Sequence, residues 1–128
     1  MILTASELRD FAINRYFGAV DAKNLAGALD CFAPDANFSI PTGPANFSGK
    51  AEIGRMLVDY FAAHEVIRHH DFHVVVDVER QAVSAHFDGF LRTLAGEEIE
   101  LHNTNIWQFE NGLLSDVRVY MSGPNVLK

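Results

Sequence analysis

Cysteine is almost absent from this sequence, since Cys31 is the single one in 128 residues. One cysteine excludes an internal disulfide and a zinc site built on cysteine ligands. We interpret Cys31 as a buried core residue and expect a reducing compartment, which favours the cytoplasm. The N-terminus lacks a basic region followed by an apolar one, so no signal peptide is predicted.

Positive charge is also scarce, with 10 Lys and Arg against 17 Asp and Glu and a formal net charge of −7. An acidic chain without a basic run is a poor match for a nucleic-acid surface, so no nucleic-acid partner is expected. No apolar run approaches the roughly 20 residues of a membrane span, so no membrane partner is expected either. Internal repeats and low-complexity segments are missing as well.

Apolar residues are plentiful, at 48% of the chain. A chain of this size fits one domain over residues 1–128 and buries roughly two-thirds of its unfolded surface. In the first half, apolar residues recur at helical spacing after capping residues. The predicted elements there are a helix over 5–21, a short helix capped by Asn24, a short strand at 36–40 and a helix that begins at 48–49.

The second half changes to a period of two, which is typical of strands with one buried face. Strands are predicted at 70–79, 82–94, 98–110 and 113–121, and the buried face of the first begins with His70. Helices followed by a run of antiparallel strands indicate an α+β fold with helices on one face of a curved sheet. The inward face of the last strand stays open, because apolar alternation favours Val117 and a tight Asn111-Gly112 turn favours Asp116.

Two asparagines, Asn103 and Asn105, lie in the middle of a predicted strand, where asparagine is uncommon. A turn centred on Ala95-Gly96 places His86 opposite Asn105 and Asp88 opposite Asn103, on one face. A two- or four-residue loop keeps this parity, and a three-residue loop breaks it.

This polar patch has two interpretations. It is a solvated face, since Val83, Ala85, Phe87 and Leu91 on the other side suit a core. Alternatively it is a pocket wall, because Trp107, Phe90 and Leu101 accompany it. The histidines of "RHHDFH" do not predict a metal site: His69 and His73 are about 13 Å apart in a strand, and metal ligands must share one ion.

Three stretches carry a resemblance over nearly the whole chain: "RYFGAVDAKNLAGALDCFAPDANFSI", "FSGKAEIGRML" and "IWQFENGLLSDVRVYMSG". They resemble the NTF2-like superfamily, in its SnoaL-like and ketosteroid-isomerase-like branch. The resemblance implies a cone-shaped α+β barrel with three N-terminal helices on a strongly curved, mostly antiparallel sheet. It also implies an apolar-lined pocket with the polar patch in its wall, and a homodimer formed through the sheet.

Two enzyme families of this fold differ in what they imply. In a comparison with ketosteroid isomerases, Tyr16 matches their helix-one tyrosine. Asn105 occupies the position of their oxyanion-hole aspartate, and Ile40 occupies the position of their catalytic base. Steroid isomerisation is therefore not expected. Scytalone dehydratases are closer, since Asp21, His70, His86 and Asn105 match their aspartate, two histidines and asparagine. Val20 and Ile40 replace the two tyrosines that hold their catalytic water.

These matches imply an enzyme that performs cofactor-independent proton transfer on a small apolar carbonyl or hydroxylated molecule, as an isomerase, dehydratase or cyclase. The alternatives are a non-catalytic binding module for a small hydrophobic metabolite and a protein-interaction role through an exposed sheet face. Which histidine is the base stays open. The candidate catalytic residues are His70, His86, Asp21, Tyr16 and Asn105. The candidate substrate-binding residues are Asp88, Asn103, Trp107, Phe90, Ile40, Leu57 and Phe61.

Overall fold

Helices cover one face of a six-stranded sheet in the computed structural model, which describes residues 1–127. The helical elements are α1 (Ala5–Asp10), a π-helical segment (Phe11–Tyr16), α2 (Phe17–Asp21), α3 (Leu25–Leu29) and α4 (Gly49–Ala63). The strands are β1 (Phe32–Ile40), β2 (Ala45–Ser48), β3 (His64–Asp77), β4 (Ala82–Thr93), β5 (Glu98–Glu110) and β6 (Leu113–Tyr120).

The sheet has the order β2-β1-β6-β5-β4-β3, and β1 with β6 is its one parallel pair among the described residues. The predicted α+β fold with helices on a mostly antiparallel sheet is confirmed. Two strands extend further towards the N-terminus than predicted, since β1 begins at Phe32 and β3 at His64. The short strand β2 was not predicted.

The first helical stretch follows the predicted bounds of 5–21. Thr4 accepts a hydrogen bond from the backbone of Glu7, and the Glu7 side chain accepts one from the backbone of Thr4, so the capping box forms. In the π-helical segment the chain fits an extra residue into a turn. The neighbours Tyr16 and Phe17 are both buried at the junction of this segment with α2.

The hairpin between β4 and β5 differs by one residue from the predicted register. Thr93 and Glu97 close the hairpin with a backbone hydrogen bond of 2.9 Å, which leaves a three-residue loop over 94–96. Gly96 has φ of +89°, a left-handed conformation that favours glycine in such loops. The predicted turn centred on Ala95-Gly96 was therefore wrong in length.

The three-residue loop reverses the predicted pairing of faces. Asn105 lies opposite Ala85 on the buried face, whereas His86 lies opposite Thr104 on the outer face. Asp88 shares the outer face with His86. The predicted patch of His86, Asp88 and the two asparagines does not form, because one residue in the loop moves every β5 side chain to the other side.

A β-bulge in β3 has a similar effect on the histidines. Asp71 has φ of +57°, and the pairing with β4 shifts between His70 and His73. Beyond the bulge the predicted even-numbered face packs against the core, starting at Phe72. Before the bulge the parity is opposite, so His69 points inward and His70 outward. The prediction that His70 begins the buried face was wrong.

A second bulge determines which residues of the last strand point inward. Asn111 and Gly112 both have positive φ and form a tight turn, yet the pairing of β5 with β6 shifts between Gln108 and Phe109. The shift restores the apolar alternation. The inward residues of this segment are Val117, Val119 and Met121.

The apolar residues of β4 face the helices and belong to the core. The sequence pattern suited them to a core, which their burial confirms, and this burial also removes them as an exposed face for a protein partner. These residues are Val83, Ala85, Phe87 and Leu91, none of them more than 3% exposed. Among residues 1–127, no helix has the length and apolar character needed to cross a membrane.

Candidate active site

A cavity lies between the helices and the inner face of the sheet, and its wall is mostly apolar. Its volume is about 30 Å³, where one water needs roughly 10–15 Å³, so it holds about two waters. The polar side chains in its wall are Tyr16, Tyr60, His69, Asn103 and Asn105. The apolar ones are Phe17, Val20, Phe38, Met56, Leu57, Phe87, Leu101, Val119, Met121, Val126 and Leu127.

His69 and Asp21 form a hydrogen-bonded pair at this wall. Asp21 is the last residue of α2, and its Oδ1 lies 2.5 Å from Nδ1 of His69. The other carboxylate oxygen accepts a hydrogen bond of 2.8 Å from the His69 backbone. Because a carboxylate only accepts, Nδ1 carries the proton. A neutral His69 therefore has its lone pair on Nε2.

Aromatic rings hold the imidazole in place. The ring of Phe17 stacks on that of His69, with centroids 4.2 Å apart and planes 23° apart. Phe87 approaches the same imidazole edge-on at 5.6 Å. The His69 side chain is 8% exposed. A partly desolvated imidazole that is fixed on one nitrogen has the geometry of a general base.

The two asparagines of β5 differ in their hydrogen bonding. Asn103 accepts a hydrogen bond of 3.2 Å from the backbone of Ser122, so it anchors the segment after β6. The Oδ1 of Asn105 is buried without a hydrogen-bond partner among residues 1–127. A buried polar group without a partner costs stability and is expected where a ligand supplies the partner.

Two tyrosines complete the polar wall. Burial raises the pKa of Tyr16 above its ordinary value, with smaller contributions from Cys31 and Asp21. Burial also raises the pKa of Tyr60, which lies on α4. Both phenols are consequently neutral around pH 7 and are able to donate a hydrogen bond.

The structure brings five of the predicted site residues to the cavity or its immediate edge. Tyr16, Leu57, Asn103 and Asn105 line it, and Asp21 reaches it through His69. Ile40 and Trp107 are fully buried but lie in the core outside the cavity wall.

Four predicted residues lie on the outer face of the sheet, because of the loop and the bulge described above. His70, His86 and Asp88 point away from the cavity, and Phe90 lies between the guanidinium groups of Arg68 and Arg92. Phe61 is half-buried and also lies outside the cavity wall. These side chains therefore do not reach a molecule inside the cavity.

His69 and Tyr60 belong to the cavity wall but were not predicted. The sequence signal for His69 was Asp71, since aspartate tolerates the left-handed conformation that a bulge requires. For Tyr60 the signal was its helical spacing from Leu57, a residue that was predicted. In both cases the apolar pattern alone was insufficient to find the residue.

Comparisons with known proteins agree with this architecture. The family model described as SnoaL-like domain matches residues 13–117. No curated protein matches the chain in sequence. A proposed isomerase from Bacillus subtilis is 16% identical, with a TM-score of 0.83 over 94% of this chain and 90% of its own.

Two further solved structures are similar. AusH from Aspergillus nidulans has a TM-score of 0.81 at 18% identity, over 95% of this chain and 88% of its own. A proposed polyketide cyclase from Pseudomonas putida has a TM-score of 0.80 at 20% identity, over 92% of this chain and 91% of its own. Likeness at this level of identity concerns the fold. With the family match across most of its length, the chain belongs to the SnoaL-like domain family and has the NTF2-like fold.

Proposed function

We propose that the chain is an enzyme that transfers protons on a small, mostly apolar molecule with a carbonyl, enolisable or hydroxyl group, with His69 as general base. The observation that carries the proposal is the His69–Asp21 pair at the wall of a mostly apolar cavity. Such chemistry needs only acid and base groups, which this wall contains. The names of two solved structures with a similar fold, an isomerase and a polyketide cyclase, are consistent with it.

The proposed step begins with Nε2 of His69, which takes a proton from a carbon or hydroxyl of the substrate. Asp21 retains the Nδ1 hydrogen bond and stabilises the imidazolium that forms. The electron pair left on the substrate moves towards its oxygen, where Tyr16 and the Nδ2 group of Asn105 donate hydrogen bonds. The Oδ1 of Asn105, which has no partner among the described residues, is available to accept a hydrogen bond from a hydroxyl of the substrate. Return of the proton to another carbon gives an isomer, and its return to a hydroxyl leaving group gives dehydration.

The size of the cavity bears on the substrate class. A volume of about 30 Å³ is far below the roughly 300–1,000 Å³ of pockets that hold drug-sized ligands. The segment after β6 contributes Val126 and Leu127 to the wall, and it has no regular secondary structure. We propose that this segment moves when a substrate enters, and that the substrate is small.

The test compares His69→Gln with His70→Gln, two neighbouring histidines on opposite faces of β3. Small ketones and hydroxylated aromatics are screened for conversion with the unaltered protein. We expect His69→Gln to lower kcat by about 10²–10⁴-fold and His70→Gln to leave it near the original value. Equal rates in His69→Gln and the original protein contradict His69 as the base.

A non-catalytic binding module for a small hydrophobic metabolite is the second candidate. It is supported by the largely apolar wall, and the resemblance to ketosteroid isomerases and scytalone dehydratases implies Ile40 in place of a base or tyrosine. A molecule that binds in the cavity with the same affinity before and after His69→Gln, and is never converted, favours this function. A molecule that the original protein converts rules it out.

Two further proposals concern assembly and location. We propose a homodimer through the outer face of the sheet, which is supported by the exposed side chains of Val75 and Ile106. Mass in solution tests it, and a monomer at all concentrations contradicts it. A reducing location such as the cytoplasm is supported by the free, buried thiol of Cys31.

A further inference from the structure

Two histidines and two aspartates meet on the outer face of the sheet, on the far side from the cavity. His70 and Asp71 come from β3, Asp88 from β4 and His102 from β5. We propose that these four side chains form a binding site for a divalent transition-metal ion of the zinc type. This site is independent of the proposed reaction, since none of its residues reaches the cavity.

The fold places these residues together in two ways. His70, Asp88 and His102 are paired in register on three adjacent strands, so their side chains form one row. Such neighbours have Cβ atoms about 5 Å apart. The bulge then adds Asp71 beside the row, with φ of +57°. A regular strand would have sent Asp71 to the opposite face.

Hydrogen bonds already link the four groups in pairs. Nδ1 of His70 lies 2.9 Å from Asp71, and Nδ1 of His102 lies 2.7 Å from Asp88. Ligand atoms of His70, Asp71 and Asp88 lie within 4.8 Å of one another. Tetrahedral ligands at about 2 Å from an ion are separated by about 3.3 Å, so these three residues need only small side-chain rotations, and His102 adjoins them through Asp88. The exposed side chains of His70 and Asp71 have room for them.

The surroundings favour a cation. A surface depression of about 140 Å³ lies at the row, and Glu100 also lines it. The chain as a whole is acidic.

The type of ligand selects the type of ion. Two imidazole nitrogens with two carboxylate oxygens suit Zn²⁺, Co²⁺ and Ni²⁺. Mg²⁺ and Ca²⁺ prefer sites made of oxygen atoms only, and Ca²⁺ takes six to eight of them. We therefore expect Zn²⁺ to bind and Mg²⁺ not to compete with it.

The experiment titrates the full chain, free of any histidine tag, with Zn²⁺ by calorimetry and with Co²⁺ by visible absorption. We expect one saturable Zn²⁺ site and a Co²⁺ spectrum with the intense bands of tetrahedral coordination. His102→Gln and Asp88→Asn should each weaken Zn²⁺ binding by about tenfold or more.

The matched controls are His73→Gln and His86→Gln. These two histidines lie on the same face and the same strands, with rings stacked 4.5 Å apart, next to the proposed site. The controls should bind Zn²⁺ as the original chain does. Absence of a saturable site in the original chain overturns the proposal, as does an equal loss in the controls.

Failure of this proposal is distinguishable from failure of the proposed function. His69→Gln should lose turnover and retain Zn²⁺ binding, whereas His102→Gln should lose Zn²⁺ binding and retain turnover. Loss of Zn²⁺ binding in His69→Gln with full retention in His102→Gln would place the ion at the cavity and overturn the site proposed here.

Discussion

Asp21 holds His69 through both of its carboxylate oxygens, one on the ring nitrogen at 2.5 Å and one on the backbone at 2.8 Å. The same carboxylate therefore sets the position of the strand and the orientation of the imidazole. This double contact joins the end of α2 to β3 just before the bulge. Because the two hydrogen bonds can be altered separately, experiments can distinguish a role of Asp21 in orienting the imidazole from a general role in holding the strand.

Asp21→Asn should keep the backbone contact and lose the ring contact, because an amide has a single acceptor oxygen: when that oxygen accepts from the His69 backbone, the NH2 group faces Nδ1 and cannot accept its proton. We expect kcat to fall by about 10²–10⁴-fold, as when an orienting aspartate is neutralised elsewhere, and its pH profile to shift. Turnover across pH 5–9 and thermal melting are the measurements. Asp77→Asn, at an exposed pair with Arg80, is the control and should leave kcat near its original value.

Asn105→Leu should raise stability and lower turnover. The buried Oδ1 of Asn105 has no partner among residues 1–127, so its removal should add about 1 kcal/mol to the free energy of unfolding. The control is Asn103→Leu, which breaks a hydrogen bond to Ser122 and should lower stability instead. Urea unfolding of both variants is the measurement. Destabilisation of equal size in both would show that Asn105 is an ordinary core residue.

Leu127→Ala should open the cavity. Leu127 is 9% exposed and lines the wall, so its truncation removes a side of the cavity at a cost of about 2 kcal/mol or less. An apolar fluorescent dye should bind the variant more tightly than the original chain. Leu94→Ala, at an exposed loop position, is the matched control and should not change dye binding. Unchanged binding in both variants would mean that the end of the chain does not limit access.

Stability should decrease as pH rises from about 9 to 11. Burial raises the pKa of the Cys31 thiol from 9.0 to about 11, and that of Tyr16 and Tyr60 beyond the ordinary value for phenols. In this window the folded chain retains protons that the unfolded chain releases, so unfolding becomes more favourable as pH increases. Thermal melts at pH 8 to 11 check this.

Cys31→Ala is the control for the alkaline effect. It should reduce the slope of stability against pH between about 9 and 11 and leave the steeper loss above pH 10 that the tyrosines cause. A slope that does not change in Cys31→Ala would show that the thiol does not contribute. The buried thiol should also react slowly with alkylating agents at neutral pH in the folded chain.

Much of the fold could be predicted because the spacing of apolar residues along the sequence follows the spacing of the buried side chains. The order of elements, the helix over 5–21 and the strands from residue 82 onwards all follow from it. The family resemblance is confirmed by the SnoaL-like match. Tyr16, Asp21 and Asn105 lie at the cavity wall or its edge, and any catalytic role for them is still a prediction.

Which face of each strand points inward was harder to predict, because one extra residue in a loop or a bulge reverses it. Ala95 and Gly96 allow a two-, three- or four-residue loop, and the three-residue loop gives the opposite pairing of faces from the other two. His69 and His70 are adjacent, and a conformation at Asp71 that apolar pattern does not reveal decides which one is buried. In β6, a bulge at Ser115, opposite Gln108 and Phe109 of β5, reconciled a tight turn with an apolar face that had pointed to different registers.

The three-residue loop at 94–96 has a consequence for how this chain can change. Exposed loops usually tolerate an added residue, because the backbone there makes few contacts. Here one inserted residue keeps the pairing of β5 with β4 only if the loop grows to four residues. If the loop stays at three residues, the pairing shifts by one and Asn105 and Trp107 turn outward. Insertions in this loop should therefore be rarer than substitutions in it, and two codons should be tolerated better than one.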